Sequence, residues 1–251
     1  MKAFTRLLIS LLAILAPAVT TNAQQIHIKA RFFEAPSANM AAWERARGDA
    51  NGGTTILSAA DARNLLKASV TTPGLETLAE PEAVTVSGRQ VQMRATQIIT
   101  VITNFASQES VSNLMFYPQS EKVETGPVLD SVATVMPDGY TIDLKTTATL
   151  TEFLGYDNPT NSPALYNSMG RKIDVPVVLP RFRVRQTQAH VQIQDGQTLT
   201  LEKFEDHLLV GTSSSDNRAV SPRPDVQDKQ VLVLITVTLI DQTGSRIHPE
   251  D

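Results

Sequence analysis

The chain has 251 residues, no cysteine, 22 Lys and Arg against 26 Asp and Glu, and few aromatics: 8 Phe, 4 Tyr and one Trp. Without cysteine there is no disulfide framework, thiolate metal site, cysteine nucleophile or lipid-bearing cysteine, and the net charge of -4 lacks the basic excess of a nucleic-acid binder. At 41% hydrophobic and 19% charged it is the composition of a folded chain rather than a disordered one, long enough for one β-rich domain or two small ones.

Residues 1–23 combine a basic start (Lys2, Arg6), the apolar run 7–16, a break at Pro17 and the small-residue site Thr21-Asn22-Ala23. This is the pattern of a secretory signal peptide. The alternative is an uncleaved membrane anchor, but the apolar run is too short to span a bilayer as a helix. Cleavage leaves a mature chain starting near Gln24. An exported chain without disulfides must hold together by packing alone, which calls for a substantial sheet core.

Residues 25–34 alternate, with Ile26, Ile28, Ala30 and Phe32 against His27, Lys29 and Arg31, so they read as a half-buried strand. Residues 35–55 read as a connection around a helix-compatible piece, 40–47. Ser58 and Asp61 form a capping box ahead of Ala62, Leu65, Leu66 and Ala68, which predicts a helix over 59–68. Strands follow at 75–80 and 83–87. Residues 90–105 read as one long strand, alternating at first and apolar on both faces from Ile98 to Ile102. Residues 106–125 read as polar and irregular around the apolar patch Leu114-Met115-Phe116-Tyr117.

A long hairpin is expected from 126–136 and 140–153 around Pro137-Asp138-Gly139. Residues 155–180 read as an insertion. Segments 181–194 and 197–203 read as a second hairpin around Asp195-Gly196, and 205–228 as a mobile polar loop. The last strand, 230–241, is nearly continuous in apolar residues, which suits a central strand or one touching lipid. The expected class is mainly β with one or two short helices (α+β), built on long antiparallel hairpins.

Templates for catalysis fail: the chain has no G-x-S-x-G elbow, H-E-x-x-H, P-loop or G-x-G-x-x-G. His27, His190, His207 and His248 are scattered and read as solvated or hydrogen-bonded side chains. Glu202, Glu205, Asp206 and His207 cluster, but read as a solvated acidic edge rather than a metal site. Arg181, Arg183 and Arg185 recur at spacing two, so they share a strand face. They could take an anionic ligand, but cross-strand pairing with acids is the favoured reading. No catalytic, cofactor-binding or metal residue is therefore assigned, and no enzyme activity or cofactor is expected. Strands of this length could cross a membrane when tilted, but one chain has too few strands and aromatics for a closed barrel of its own.

The order of segments from Ile56 to Asp241 resembles the secretin domain of bacterial type II and type III secretion systems. The helix from Ser58 to Ala68 and then Thr85-Val-Ser-Gly-Arg-Gln90 resembles the family run in which a helix precedes L-S-x-P-x-V-T-T-L-S-G-x-x-A. Gly126-Pro-Val-Leu-Asp-Ser-Val-Ala-Thr-Val-Met-Pro-Asp-Gly-Tyr-Thr-Ile-Asp-Leu144 resembles G-V-x-L-x-V-x-P-x-V-x-x-D-G-x-I-x-L. Pro180-Arg-Phe-Arg-Val184 with Asp195-Gly-Gln-Thr-Leu-Thr-Leu201 resembles the segment ending D-G-x-T-x-x-L-G-G-L, and 231–240 the closing strand. Glu202-Lys203-Phe204 replaces the family's Gly-Gly-Leu, and the Gly and Pro expected around 97–103 are missing.

After the signal peptide read at 1–23, the chain is expected to divide into a leading strand and connection at 24–55 and, as the resemblance implies, a secretin-like domain at 56–251, short and without the N-terminal periplasmic rings. The resemblance implies an exported outer-membrane or periplasmic subunit that oligomerises into a ring or pore for protein secretion and closes a barrel only as an oligomer. Residues 98–102 and 231–240 would be its wall strands. Its partners would be copies of itself, secretion-machinery proteins and outer-membrane lipid, with no nucleic acid. The alternative is a soluble periplasmic β-domain used as a binding or assembly module without a pore. A third reading is a hydrolase with an unrecognised site.

Overall fold

The first strand shows what the rest of the chain packs against. In the computed structural model, which describes residues 24–37, 54–109, 114–157, 165–166, 172–173, 179–210 and 229–249, β1 (Gln25–Pro36) buries Ile26, Ile28, Ala30 and Phe32 completely. His27, Lys29 and Arg31 face the other way, where they meet Glu82, Glu82 and Glu80. The alternation of the sequence is thus the alternation of the strand.

Two antiparallel sheets take up most of the described chain. The first sheet runs β2 (Thr55–Leu57), β12 (Thr198–Leu201), β14 (Lys229–Ile240), β1, and then β3 (Glu76–Ala79) and β4 (Glu82–Val86), both paired to β1. The second runs β13 (Glu205–Val210), β11 (Leu179–Gln194), β8 (Thr141–Asp157), β7 (Leu114–Val135), and then β5 (Gln90–Arg94) and β6 (Gln97–Glu109), both paired to β7. A two-stranded ribbon of β9 (Leu165–Tyr166) and β10 (Lys172–Ile173) stands apart. Neither large sheet closes into a barrel.

The sheets pack face to face over one core. Ile28 and Phe32 of β1, Leu199 and Leu201 of β12 and the odd-numbered residues Val231 to Leu239 of β14 meet Leu129, Ala133, Ile142, Leu144, Leu150 and Ile193 of the second sheet. On the far side of the first sheet, α1 (Ala59–Thr71) lays Ala62 and Leu65 on Phe33, Ala35, Leu57, Leu232 and Leu234. The layers are therefore helix, sheet, sheet. The Ser58 hydroxyl caps α1 by accepting from the Asp61 amide at 3.1 Å, as the capping box requires, and the helix runs one turn beyond the expected end.

β14 shows why near-continuous apolarity was ambiguous. It lies between β1 and β12, with helix on one face and sheet on the other, so Val231 to Ile235 are all buried. It is a core strand of the sandwich rather than a wall strand.

The hairpin around Pro137-Asp138-Gly139 forms as expected, in register from Gly126 opposite Thr151 to Val135 opposite Ile142. Asp138 accepts from the amides of Tyr140 and Thr141 and from the Thr141 hydroxyl.

Four expectations are corrected. Asp195-Gly196 does not join a hairpin: β11 belongs to the second sheet and β12 to the first, so the turn carries the chain across the sandwich. Its aspartate is buried instead, accepting from the Leu239 amide at 2.7 Å. Residues 90–105 are two strands, broken at Ala95-Thr96. Most of 106–125 is strand, because polar residues suffice where the two strands of a hairpin satisfy each other's backbone. Residues 205–210 form β13 rather than loop. Residues 1–23, 40–47 and 211–228 and most of the 155–180 insertion lie outside the described residues.

Candidate functional site

Beyond the sandwich the strands of the second sheet continue as arms. The hairpin of β6 and β7 is paired from Gln97 opposite Thr125 to Glu109 opposite Leu114, roughly 40 Å at about 3.4 Å per residue. β8 and β11 stay paired as far as Asp157 and Leu179. Among the side chains described, none of β6, and none of β7 before Leu129, belongs to either hydrophobic cluster. Ile98 is 69% exposed and Val101 1%, so the expected two-sided apolar stretch is one-sided.

The arm departs at Gly126. There β7 exchanges β5 for β6 as its neighbour, and a Cβ on Gly126 would lie 2.7 Å from the Ala95 carbonyl oxygen and 3.0 Å from Thr96 Cα, at a φ of +118°. Only glycine fits that approach. Nearby, Phe153 packs edge-on against Tyr156 with ring centroids 5.3 Å apart and tilted against Phe182 at 5.4 Å. The Tyr156 hydroxyl accepts from the Ile102 amide at 3.0 Å, next to the bulge between Ile102 and Asn104. This bond ties β6 to the β8–β11 arm.

At the same root, a charged cluster joins the two sheets. Arg185 of β11, with 4% of its side chain exposed, donates from Nη2 to Glu34 Oε1 of β1 at 2.6 Å and to Glu152 Oε2 of β8 at 2.5 Å. Its Nη1 donates to the Lys229 carbonyl of β14 at 2.9 Å, and Lys229 Nζ reaches Glu34 Oε2 at 3.1 Å. Burial by itself pushes the Glu34 carboxyl up, but the hydrogen bonds and charges of Arg185 and Lys229 together outweigh it and hold the group below its usual range. The same contact with Glu34 raises the Lys229 ammonium.

The arginine row thus pairs with neighbouring acids at two of its positions: Arg185 as above, and Arg183, whose Nε lies 3.5 Å from Asp206 of β13. Arg181 is buried without such a partner among the described residues. Each histidine lies beside a carboxylate: His27 and Glu82, His190 and Asp143, His207 and Glu205, His248 and Asp195. The structure does not bring the four histidines together. Glu205, Asp206 and His207 stand exposed along β13, and among the described residues no three His, Cys, Asp or Glu are grouped to hold a metal ion.

Glu34, Glu152 and Lys229 were not legible as a set. A signal for Glu34 exists, since it continues the inward series of Ile26, Ile28, Ala30 and Phe32 and so puts a charge on the core face. Among the described residues no helix is long and apolar enough to cross a membrane, which leaves crossing by strands open.

No protein-family profile matches the chain, and no curated protein matches it. Among solved structures it is similar to a type II secretin, GspD, from enteropathogenic Escherichia coli, at 11% identity and a TM-score of 0.34 over 88% of this chain and 71% of that one. It is also similar to the pilotin–secretin complex AspS–GspD of ETEC, at 10% identity and a TM-score of 0.33 over 88% and 50% of the two chains. For the Salmonella SPI-1 type III secretion injectisome secretin InvG the identity is 9% and the TM-score 0.29, over 90% of this chain and 65% of that one. Likeness at this level assigns neither family nor activity.

Proposed function

We propose that this chain is an exported subunit, in the outer membrane or periplasm, whose copies join into a secretin-like ring or pore for protein passage, without catalysis or cofactor. The observation that carries the reading is the second sheet. It ends in β13 on one side and, on the other, in β5 and β6, which succeed each other along β7, and among the described residues each of these pairs with a single strand. Unpaired strand edges are templates for another chain. Two different edges on one sheet favour head-to-tail contact, which closes into rings when the rotation permits. The 13-residue β6 and 22-residue β7 are long enough to contribute to a shared wall. Secretion-machinery proteins and outer-membrane lipid are the further partners of this reading.

A second reading, a soluble periplasmic assembly module, is favoured by the outer face of the second sheet. That face carries Gln90, Gln92, Gln188, Gln192 and Gln194, all exposed, and offers no apolar belt to lipid. Membrane fractionation followed by unheated gels and electron microscopy of the extracted protein tests both. Multimeric rings from the membrane fraction are expected; protein found only in the soluble periplasm selects the second reading, and a monomer in every fraction overturns both.

A further inference from the structure

The three arginines of β11 share one strand face but not one fate. Arg185 and Arg183 meet carboxylates, whereas Arg181 is 5% exposed and has neither hydrogen bond nor ion pair among the described residues. Its Nε is fully buried without a partner among the described residues. A guanidinium carries its charge throughout the accessible pH range, and a charge taken out of water without a counter-charge is strongly unfavourable. Such a group is ordinarily found opposite an oxyanion, which accepts two of its N–H donors at once.

The residue opposite leaves room for one. Arg181 pairs across the ladder with Gly155, and the register shift beside it leaves Leu154 of β8 without a partner on β11. Among the described residues a Cβ built on Gly155 would meet nothing within 4 Å, and its φ is +94°. Directly paired residues project from the same face of a sheet, so the open space beside Gly155 lies on the side of the Arg181 side chain.

We propose that Arg181 and the space beside Gly155 form an oxyanion site at the root of the arms, which takes a carboxylate or phosphate group through the terminal guanidinium nitrogens. A free small anion and the acidic side chain of a second copy present the same chemistry there. The site does not depend on ring assembly, and failure of the pore reading leaves it standing.

The test is thermal unfolding of the full chain, of Arg181→Met and of Arg181→Lys, titrated with inorganic phosphate at constant ionic strength. Wild type is expected to gain roughly 5–10 °C at a hundredfold excess of phosphate over its Kd. Arg181→Met is expected to show no such gain and, without phosphate, to unfold no earlier than wild type, because its unpaired charge is gone. Arg181→Lys keeps the charge but loses the planar fork, and retains a smaller gain. It serves as the control if the Met variant does not fold. An equal gain in the Met variant, or no gain in wild type, overturns the proposal. Sedimentation without phosphate then separates the sources. Self-association weakened by both phosphate and Arg181→Met identifies an acid of a second copy, and self-association indifferent to both identifies a free anion.

Discussion

The sandwich and the arms are made from the same strands by different means. Along β8, Ile142, Leu144 and Ala148 are wholly buried in the core, whereas Phe153, a few residues further on, meets only Tyr156, which is exposed, and Phe182 among the described aromatic rings. Along β7, Leu129 and Ala133 sit in the core, whereas Ser120, Glu121 and Lys122 stand exposed. In the sandwich, removal of apolar surface from water supplies the stability. In the arms, backbone pairing and a few contacts at the root set the shape, and so an arm can differ in sequence polarity without ceasing to be strand.

If that contrast holds, the largest losses should come from the core. Phe32→Ala removes a fully buried ring from the space between the sheets, and about 3–5 kcal/mol of unfolding free energy should be lost in urea titrations. The arms should respond to this change only through global unfolding. A loss below about 1 kcal/mol would mean that the site collapses around the cavity and that the core is less tightly packed than its burial implies.

The charged cluster is where the two regions meet. Arg185→Met leaves Glu34 buried with Lys229 alone, and should cost about 3 kcal/mol, whereas the double variant Glu34→Met and Arg185→Met should recover most of it. Because the Glu34 carboxyl is held below its usual range, its contribution is present above the ordinary carboxylate pKa of 4.5 and is lost as the pH falls through the lowered folded value. Lys229 is raised, so its contribution is present below 10.5 and is lost as the pH climbs through its own folded value. Stability measured against pH should therefore fall at the acid end more steeply in wild type than in Glu34→Gln. Equal slopes would show that Glu34 is not the group that senses acid.

At the pivot, Gly126→Ala should cost about 1–3 kcal/mol, because the new methyl meets backbone atoms and the φ of +118° suits glycine. Amide exchange should rise first at Gln97 to Val101 and at Val123 to Thr125, on the arm side of the pivot. Faster exchange spread evenly over the core instead would show that Gly126 matters to folding and not to the arm.

The core was legible from the sequence wherever one face of a strand is buried and the other wet, as in β1 and the hairpin of β7 and β8, because a period of two then has a physical cause. It was not legible in β14, where both faces are covered and periodicity vanishes, nor in the arm formed by β6 and the first half of β7. There the side chains from Pro118 to Lys122 are exposed although the backbone is paired, and these polar residues carried no strand signal. The turn at Asp195-Gly196 misled for another reason: a tight turn reports local backbone geometry, and a chain that crosses between two sheets uses the same residues as one that returns along a hairpin. The arginine row was legible as a face. Which of its members would lack an acid depended on strand register, which pairs Arg181 with Gly155, and register is a tertiary property.

The smallest effect tests the tie between the arms themselves. Tyr156→Phe keeps the ring against Phe153 and removes only the hydroxyl that accepts from the Ile102 amide. That hydrogen bond lies at an exposed position, so its loss should cost about 0.5–1 kcal/mol at most and leave the urea midpoint nearly unchanged. The local consequence should be larger than the global one, since the Ile102 amide sits beside a bulge in the β6–β7 ladder and would exchange its protection for open solvent. Faster exchange at Ile102 with unchanged exchange at Leu144 would place the tie in the arms alone. Unchanged exchange at Ile102 would show that pairing with β7, rather than the tyrosine, keeps the arm in place.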